Sequence, residues 1–243
     1  MTPVWHPSPN FGVRKGRETP SLIVIHYTAM DGPQPALDRL CDPEFEVSAH
    51  YLVGQGGQVW QMVDEADRAW HAGAGSWGGC TDVNSASIGI ELCNRGDHPF
   101  PVAQIEALKE LMRGIMQRWD IPASGVIGHS DMAPGRKVDP GAMFPWGALE
   151  QAELATKLDR RLTLGRREAP SRGEGQARVD RSSRPVSAST FREQVQKLGY
   201  TATADDDTLL ATVRLRFAPH KYGPLDADDM ALAVALAQIP TTA

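Results

Sequence analysis

The chain has 243 residues, 41% hydrophobic and 23% charged, which is ordinary for a globular protein and long enough for one domain with an appendage or two unequal domains. Its 25 basic and 30 acidic residues give a formal net charge of -5, and no aromatic residues interleave with a basic stripe, so nucleic-acid binding is not expected. No apolar run approaches the ~20 residues of a membrane helix, and membrane insertion is not expected either.

Residues 1–16 are rich in proline and polar side chains and carry charge only from Arg14 onward, unlike the cationic-then-apolar pattern of a secretory leader. The run Leu22-Ile-Val-Ile25 leads into His26 and predicts a strand over 22–26; a short helix follows around Leu37 and Leu40. Strands are expected over 49–53 and 59–63, joined as a hairpin by Gly54-Gln-Gly-Gly57, and over 87–92, where Glu91 stands among apolar neighbours. From Pro101 the period changes: Ile105, Leu108, Met112, Ile115 and Trp119 mark one apolar helix face, which Ile121-Pro122 terminates. A strand over 125–129 ends on His129, and a helix over 148–162 places Leu154, Leu158 and Leu162 on one side. Strands interleaved with helices make the first ~160 residues an α/β or α+β domain.

Residues 165–189 are crowded with Arg, Gly, Ser, Pro and Glu and nearly lack large apolar side chains, the composition of a linker. Beyond them, Phe191, Val195 and Leu198 mark a helix stopping at Gly199, Leu209, Val213 and Phe217 a second, and 230–239 a third. The expected organisation is therefore a catalytic domain over 1–163, a linker over 164–189 and a small helical module over 190–243. Cys41, Cys80 and Cys93 lack the paired spacing of a metal knuckle or redox motif and are read as reduced, inert thiols.

The chemistry gathers at His26 and at the segment from Gly128-His129 to Asp139-Pro140. A lone histidine at a strand end is more often a hydrogen-bonded structural residue. Here its company matters, because two imidazoles and one carboxylate are the protein ligand set of a catalytic zinc that keeps its fourth position for water. Lys137 stands two residues before Asp139, so in an extended segment both face the same way, and its ammonium is placed to steady a developing oxyanion. Glu91 is the candidate general base, taking a proton from water and passing it to a leaving nitrogen. The helical zinc-peptidase string His-Glu-x-x-His is absent.

Five stretches, 24–28, 47–52, 68–73, 87–91 and 128–141, resemble in order and spacing the type 2 N-acetylmuramoyl-L-alanine amidases, zinc amidases related to the peptidoglycan recognition proteins. The resemblance implies a central mixed β-sheet flanked by helices, with a groove for a glycan-linked peptide. It also implies hydrolysis of the amide between N-acetylmuramic acid, or its 1,6-anhydro form, and L-alanine. On it, His26, His129 and Asp139 match the Zn2+ ligands, Glu91 the catalytic carboxylate and Lys137 the transition-state stabiliser. His50, Trp70, His71, Ala72, Trp77 and Asn84 fall where substrate contacts are expected, with core packing behind the site an equal reading for His50, Tyr51 and Trp70. Ala49 stands where some phage members carry a tyrosine, leaving the acid–base role to Glu91 alone. The tail is similar to a small three-helix peptidoglycan-binding module, although Ala218-Pro219-His220 departs from its usual middle helix.

The partner expected is therefore peptidoglycan or an anhydro-muropeptide, with no oligomeric state assigned, and the compartment expected is the cytoplasm, or the periplasm if an export signal precedes Met1. The competing reading is a non-catalytic peptidoglycan-recognition protein of the same fold, which Glu91 and Lys137 argue against.

Overall fold

The computed structural model describes residues 2–158 and 186–241. The expected linker falls almost wholly outside those residues, as does Leu162 of the helix expected over 148–162. Strands run at Val4–Trp5 (β1), Phe11–Gly12 (β2), Leu22–Tyr27 (β3), Tyr51–Val53 (β4), Val59–Gln61 (β5), Arg68–Ala69 (β6), Ser87–Leu92 (β7) and Val126–Gly128 (β8). Helices run at Pro33–Cys41 (α1), Val83–Ala86 (α2), Val102–Trp119 (α3), His129–Met132 (α4), Trp146–Gln151 (α5), Ala188–Leu198 (α6), Asp206–Phe217 (α7) and Ala227–Leu236 (α8).

Six strands form one mixed sheet in the order β1-β5-β4-β7-β3-β8. Only β4 and β5 pair antiparallel, closed by the expected hairpin, where Gly54 N–H donates to Gln58 and Gly57 turns with φ +87°. The neighbours β4, β7, β3 and β8 are parallel. Strands buried on both faces read as continuous apolar runs, and β3 does so from Leu22 to Ile25.

The pleat sorts these residues by face. Ile23, Ile25, Ile88, Ile90 and Leu92 meet Ile105, Leu108, Met112 and Ile115 of α3, as its sequence period predicts. On the other face, Leu22, Val24 and Ile127 join Trp77, Val83 and Met132 in a core shared with Phe191, Val195, Leu198, Tyr200, Leu209 and Val213 of the tail. His26, Gly89 and Glu91 belong to this second face, His26 and Glu91 at the carboxyl ends of adjacent parallel strands and Gly89 two residues before Glu91.

Two elements differ from expectation. His129 is the first residue of the one-turn helix α4 rather than the last of a strand, because Asp131 Oδ2 accepts the Gly128 N–H and turns the chain. The helix expected over 148–162 is α5, starting earlier at Trp146 and ending at Gln151; Leu154 enters the core beyond it.

Candidate metal centre

Register builds the site. His26 pairs with Glu91 across β3 and β7, and Ile25 pairs with Gly128 across β3 and β8, so Glu91, His26 and His129 stand side by side where the strands end. The loop after α4 then returns, fixed by Ser130 N–H donating to the Asp139 carbonyl at 2.9 Å, and brings in Asp139.

His26, His129 and Asp139 are all buried. Their Nδ1, Nδ1 and Oδ2 atoms form a near-equilateral triangle with sides of 2.9, 3.0 and 3.0 Å. His129 Nε2 lies 2.8 Å from the Ala72 carbonyl, which can only accept; the ring nitrogen there carries the proton, and a neutral His129 ring turns a bare Nδ1 inward. Burial, then the neighbouring His129 ring, pushes His26 down to about 4, keeping it neutral around pH 7. Lone pairs from buried groups thus converge on one point, an arrangement that a cation satisfies. Among the described residues, these three are the group of His, Cys, Asp and Glu side chains able to hold a metal ion.

Glu91 flanks them, with Oε2 buried and without a hydrogen-bond partner among the described residues. Burial, followed by repulsion from Asp139 and partly offset by Lys137, pushes its carboxyl up to about 8. Lys137, Arg136, Trp70, Arg39 and Tyr27 line the same groove, which has a volume of about 430 Å³. The site therefore gathers a candidate cation position, a buried carboxyl and the Lys137 ammonium along one groove.

The residues expected to contact substrate separate into two sets. Trp70 and His71 line the groove. His50, Ala72, Trp77 and Asn84 do not. His50 is fully buried, its Nδ1 accepting Gly89 N–H at 3.0 Å and its Nε2 facing the Asp67 carbonyl at 3.1 Å. Asn84 Oδ1 accepts the backbone N–H groups of His71 and Ala72 at 2.9 and 2.8 Å, which holds the Ala72 carbonyl over His129. Trp77 lies edge-on to Tyr200 with centroids 4.9 Å apart, inside the core shared with the tail. No sequence period marks the burial of Ala72, Trp77 or Asn84, whereas the packed position of His50 agrees with its core-packing reading.

Three supporting residues escaped the sequence reading. Arg136 donates to the Ala72 carbonyl at 2.7 Å and also to that of Ala74, bracing the loop over His129; a basic residue beside Lys137 reads simply as solvated. Asp131 takes Gly128 N–H, Tyr200 O–H and the Arg216 guanidinium at 2.7, 2.6 and 2.6 Å. Gly89 did leave a signal, since a glycine inside an apolar strand marks a close approach.

A mixed sheet with helices on both faces carries a buried His-His-Asp triangle at its strand ends, a candidate metal centre in an α/β fold. The sequence model of the family described as N-acetylmuramoyl-L-alanine amidase matches residues 16–142, and the chain belongs to that family. It is 35% identical to N-acetylmuramoyl-L-alanine amidase AmiD of Escherichia coli K12, a match covering 88% of this chain and 81% of AmiD. It is 38% identical to 1,6-anhydro-N-acetylmuramyl-L-alanine amidase AmpD of Haemophilus influenzae, covering 57% of this chain and 85% of AmpD. The solved complex of E. coli AmiD with anhydro-N-acetylmuramic acid-L-Ala-D-γ-Glu-L-Lys superposes with a TM-score of 0.74 at 34% identity, covering 94% of this chain and 89% of that one.

Proposed function

We propose that this chain is a zinc-dependent amidase that hydrolyses the bond between 1,6-anhydro-N-acetylmuramic acid, or N-acetylmuramic acid, and the L-alanine of the stem peptide. The observation that carries the reading is the convergence of His26, His129 and Asp139 beside a buried glutamate with an unpartnered oxygen. Amidase activity belongs to the family, and relatives with an anhydro-muropeptide in their names or complexes support the soluble substrate.

Two nitrogens and one carboxylate oxygen suit zinc, whose tetrahedral ligands about 2.0–2.1 Å away lie roughly 3.3 Å apart, close to the edges seen here. Zinc in that place supplies Lewis-acid activation of water and of the scissile carbonyl. Glu91 takes the proton of the attacking water and returns it to the departing nitrogen of L-alanine. A carboxyl that burial and Asp139 push up to about 8, even with the Lys137 ammonium nearby, titrates close to neutrality, where one group can both accept and donate. Lys137 steadies the oxyanion, and Trp70 offers a partly buried aromatic wall along the groove.

Among the described residues no helix is long and apolar enough to cross a membrane. Relatives named for 1,6-anhydro-N-acetylmuramyl-L-alanine support recycled muropeptides as the substrate, and we propose the cytoplasm as the compartment, which cell fractionation checks. The test of function is mass spectrometry of an anhydro-muropeptide digest. Release of a free stem peptide beginning with L-alanine supports the reading. Tight binding of muropeptide with no cleavage would make the chain a recognition protein.

A further inference from the structure

His71 does more than line the groove. Its ring lies across the second face of the sheet against Gly89, where an added Cβ would stand 2.6 Å from Cδ2 and 2.7 Å from Nδ1 of that ring. The strand carries glycine at this point because the imidazole occupies the side-chain space. The ring also touches two neighbours edge-on, His26 and His50, with centroids 5.1 and 5.9 Å away.

The hydrogen bonds around it have one consistent direction. Ser87 Oγ lies 2.6 Å from the Val83 carbonyl, a group that only accepts, so the hydroxyl proton is committed there. The Ser87 oxygen is left as an acceptor, and His71 Nε2, 3.2 Å away, supplies the proton. A neutral His71 ring protonated at Nε2 has a bare Nδ1. That atom lies 3.0 Å from His26 Nε2 and accepts its proton. His26 is then left with a bare Nδ1, the atom that faces His129 Nδ1 and Asp139 Oδ2.

We infer that His71 is a positioning residue: the relay from Val83 through Ser87 and His71 fixes the tautomer and ring angle of His26, so that its Nδ1 is presented as a ready metal ligand. The inference rests on the reading of His26 as a zinc ligand. It gives His26 a second partner of the kind His129 has in the Ala72 carbonyl, but built from side chains. Such outward partners raise the basicity of a ligating imidazole and remove the alternative tautomer.

The test is long-range ¹H–¹⁵N NMR of the histidine rings in the metal-free full chain, combined with zinc affinity by chelator competition. The relay predicts Nε2–H and a bare Nδ1 on both His26 and His71. His71→Phe keeps a ring over Gly89 but lacks the acceptor, and is expected to bind zinc about 10- to 100-fold more weakly with a mixed His26 tautomer. His71→Asn, whose Oδ1 falls near the place of Nδ1, is expected to recover much of that loss. A folded His71→Phe chain with wild-type zinc affinity and an unchanged His26 tautomer would overturn the inference. Should His71→Phe not fold, the wild-type spectrum decides, because Nδ1–H on His26 contradicts the relay outright. The expected tautomers in a chain that takes up no zinc would support the relay while removing the metal reading.

Discussion

At the scale of single residues, the proposed function separates the groups that would bind the metal from the one that would move a proton. Asp139→Ala removes the one anionic corner of the triangle, and the variant is expected to purify without stoichiometric metal, as measured by elemental analysis. Glu91→Gln leaves the triangle whole but cannot transfer a proton, and is expected to keep its metal while losing about 100-fold or more of turnover. Stability against pH tests a different group. Burial, opposed by the Asp67 carbonyl and reinforced by Arg14, pushes His50 from 6.5 down to about 3. Its folded pKa is depressed, so below pH 6.5 the unfolded chain binds a proton that the folded chain refuses. Stability is expected to fall as pH drops from 6.5 toward 3. His50→Asn, which keeps an acceptor for Gly89 N–H, should flatten that slope in urea titrations; an unchanged slope would mean that His50 is protonated in the native state.

At the scale of elements, the centre depends on a helix far along the chain. Arg216, on α7, is buried with its guanidinium 2.6 Å from Asp131 Oδ2, 2.9 Å from the Val126 carbonyl and 4.2 Å from the centroid of the Trp146 ring. Asp131 shares the single turn of α4 with His129. Arg216→Met strands a buried carboxylate, and the expected cost is about 3–5 kcal/mol in chemical denaturation. Tyr200→Phe removes one donor of three to Asp131 and is expected to cost about 1–3 kcal/mol. What was legible in the sequence follows from period and composition. The apolar run of β3, the 3.6-residue period of α3 and the glycine-marked hairpin were all readable, and so was the clustering of His26, His129, Asp139, Glu91 and Lys137. The partners of those side chains were not. Asn84, Asp131, Arg136 and Arg216 act through contacts between distant segments, and nothing local separates a buried arginine from a solvated one.

At the scale of the whole molecule, the tail helices and the sheet share an apolar core. Leu22, Val24, Ile127 and Met132 pack with Phe191, Val195, Leu198 and Val213, and Gly78 N–H donates to the Gly199 carbonyl at 2.9 Å. Neither side can lose the other without exposing that surface, so calorimetry is expected to show one cooperative transition with matching calorimetric and van't Hoff enthalpies. Two separated transitions would make the tail an independent unit. The central claim is that His26, His129 and Asp139 hold a catalytic zinc, and anomalous diffraction at the zinc edge from zinc-loaded crystals tests it most directly. The account predicts a single strong peak about 2.0–2.2 Å from His26 Nδ1, His129 Nδ1 and Asp139 Oδ2. A peak elsewhere, or none at these three atoms in active crystals, would contradict it.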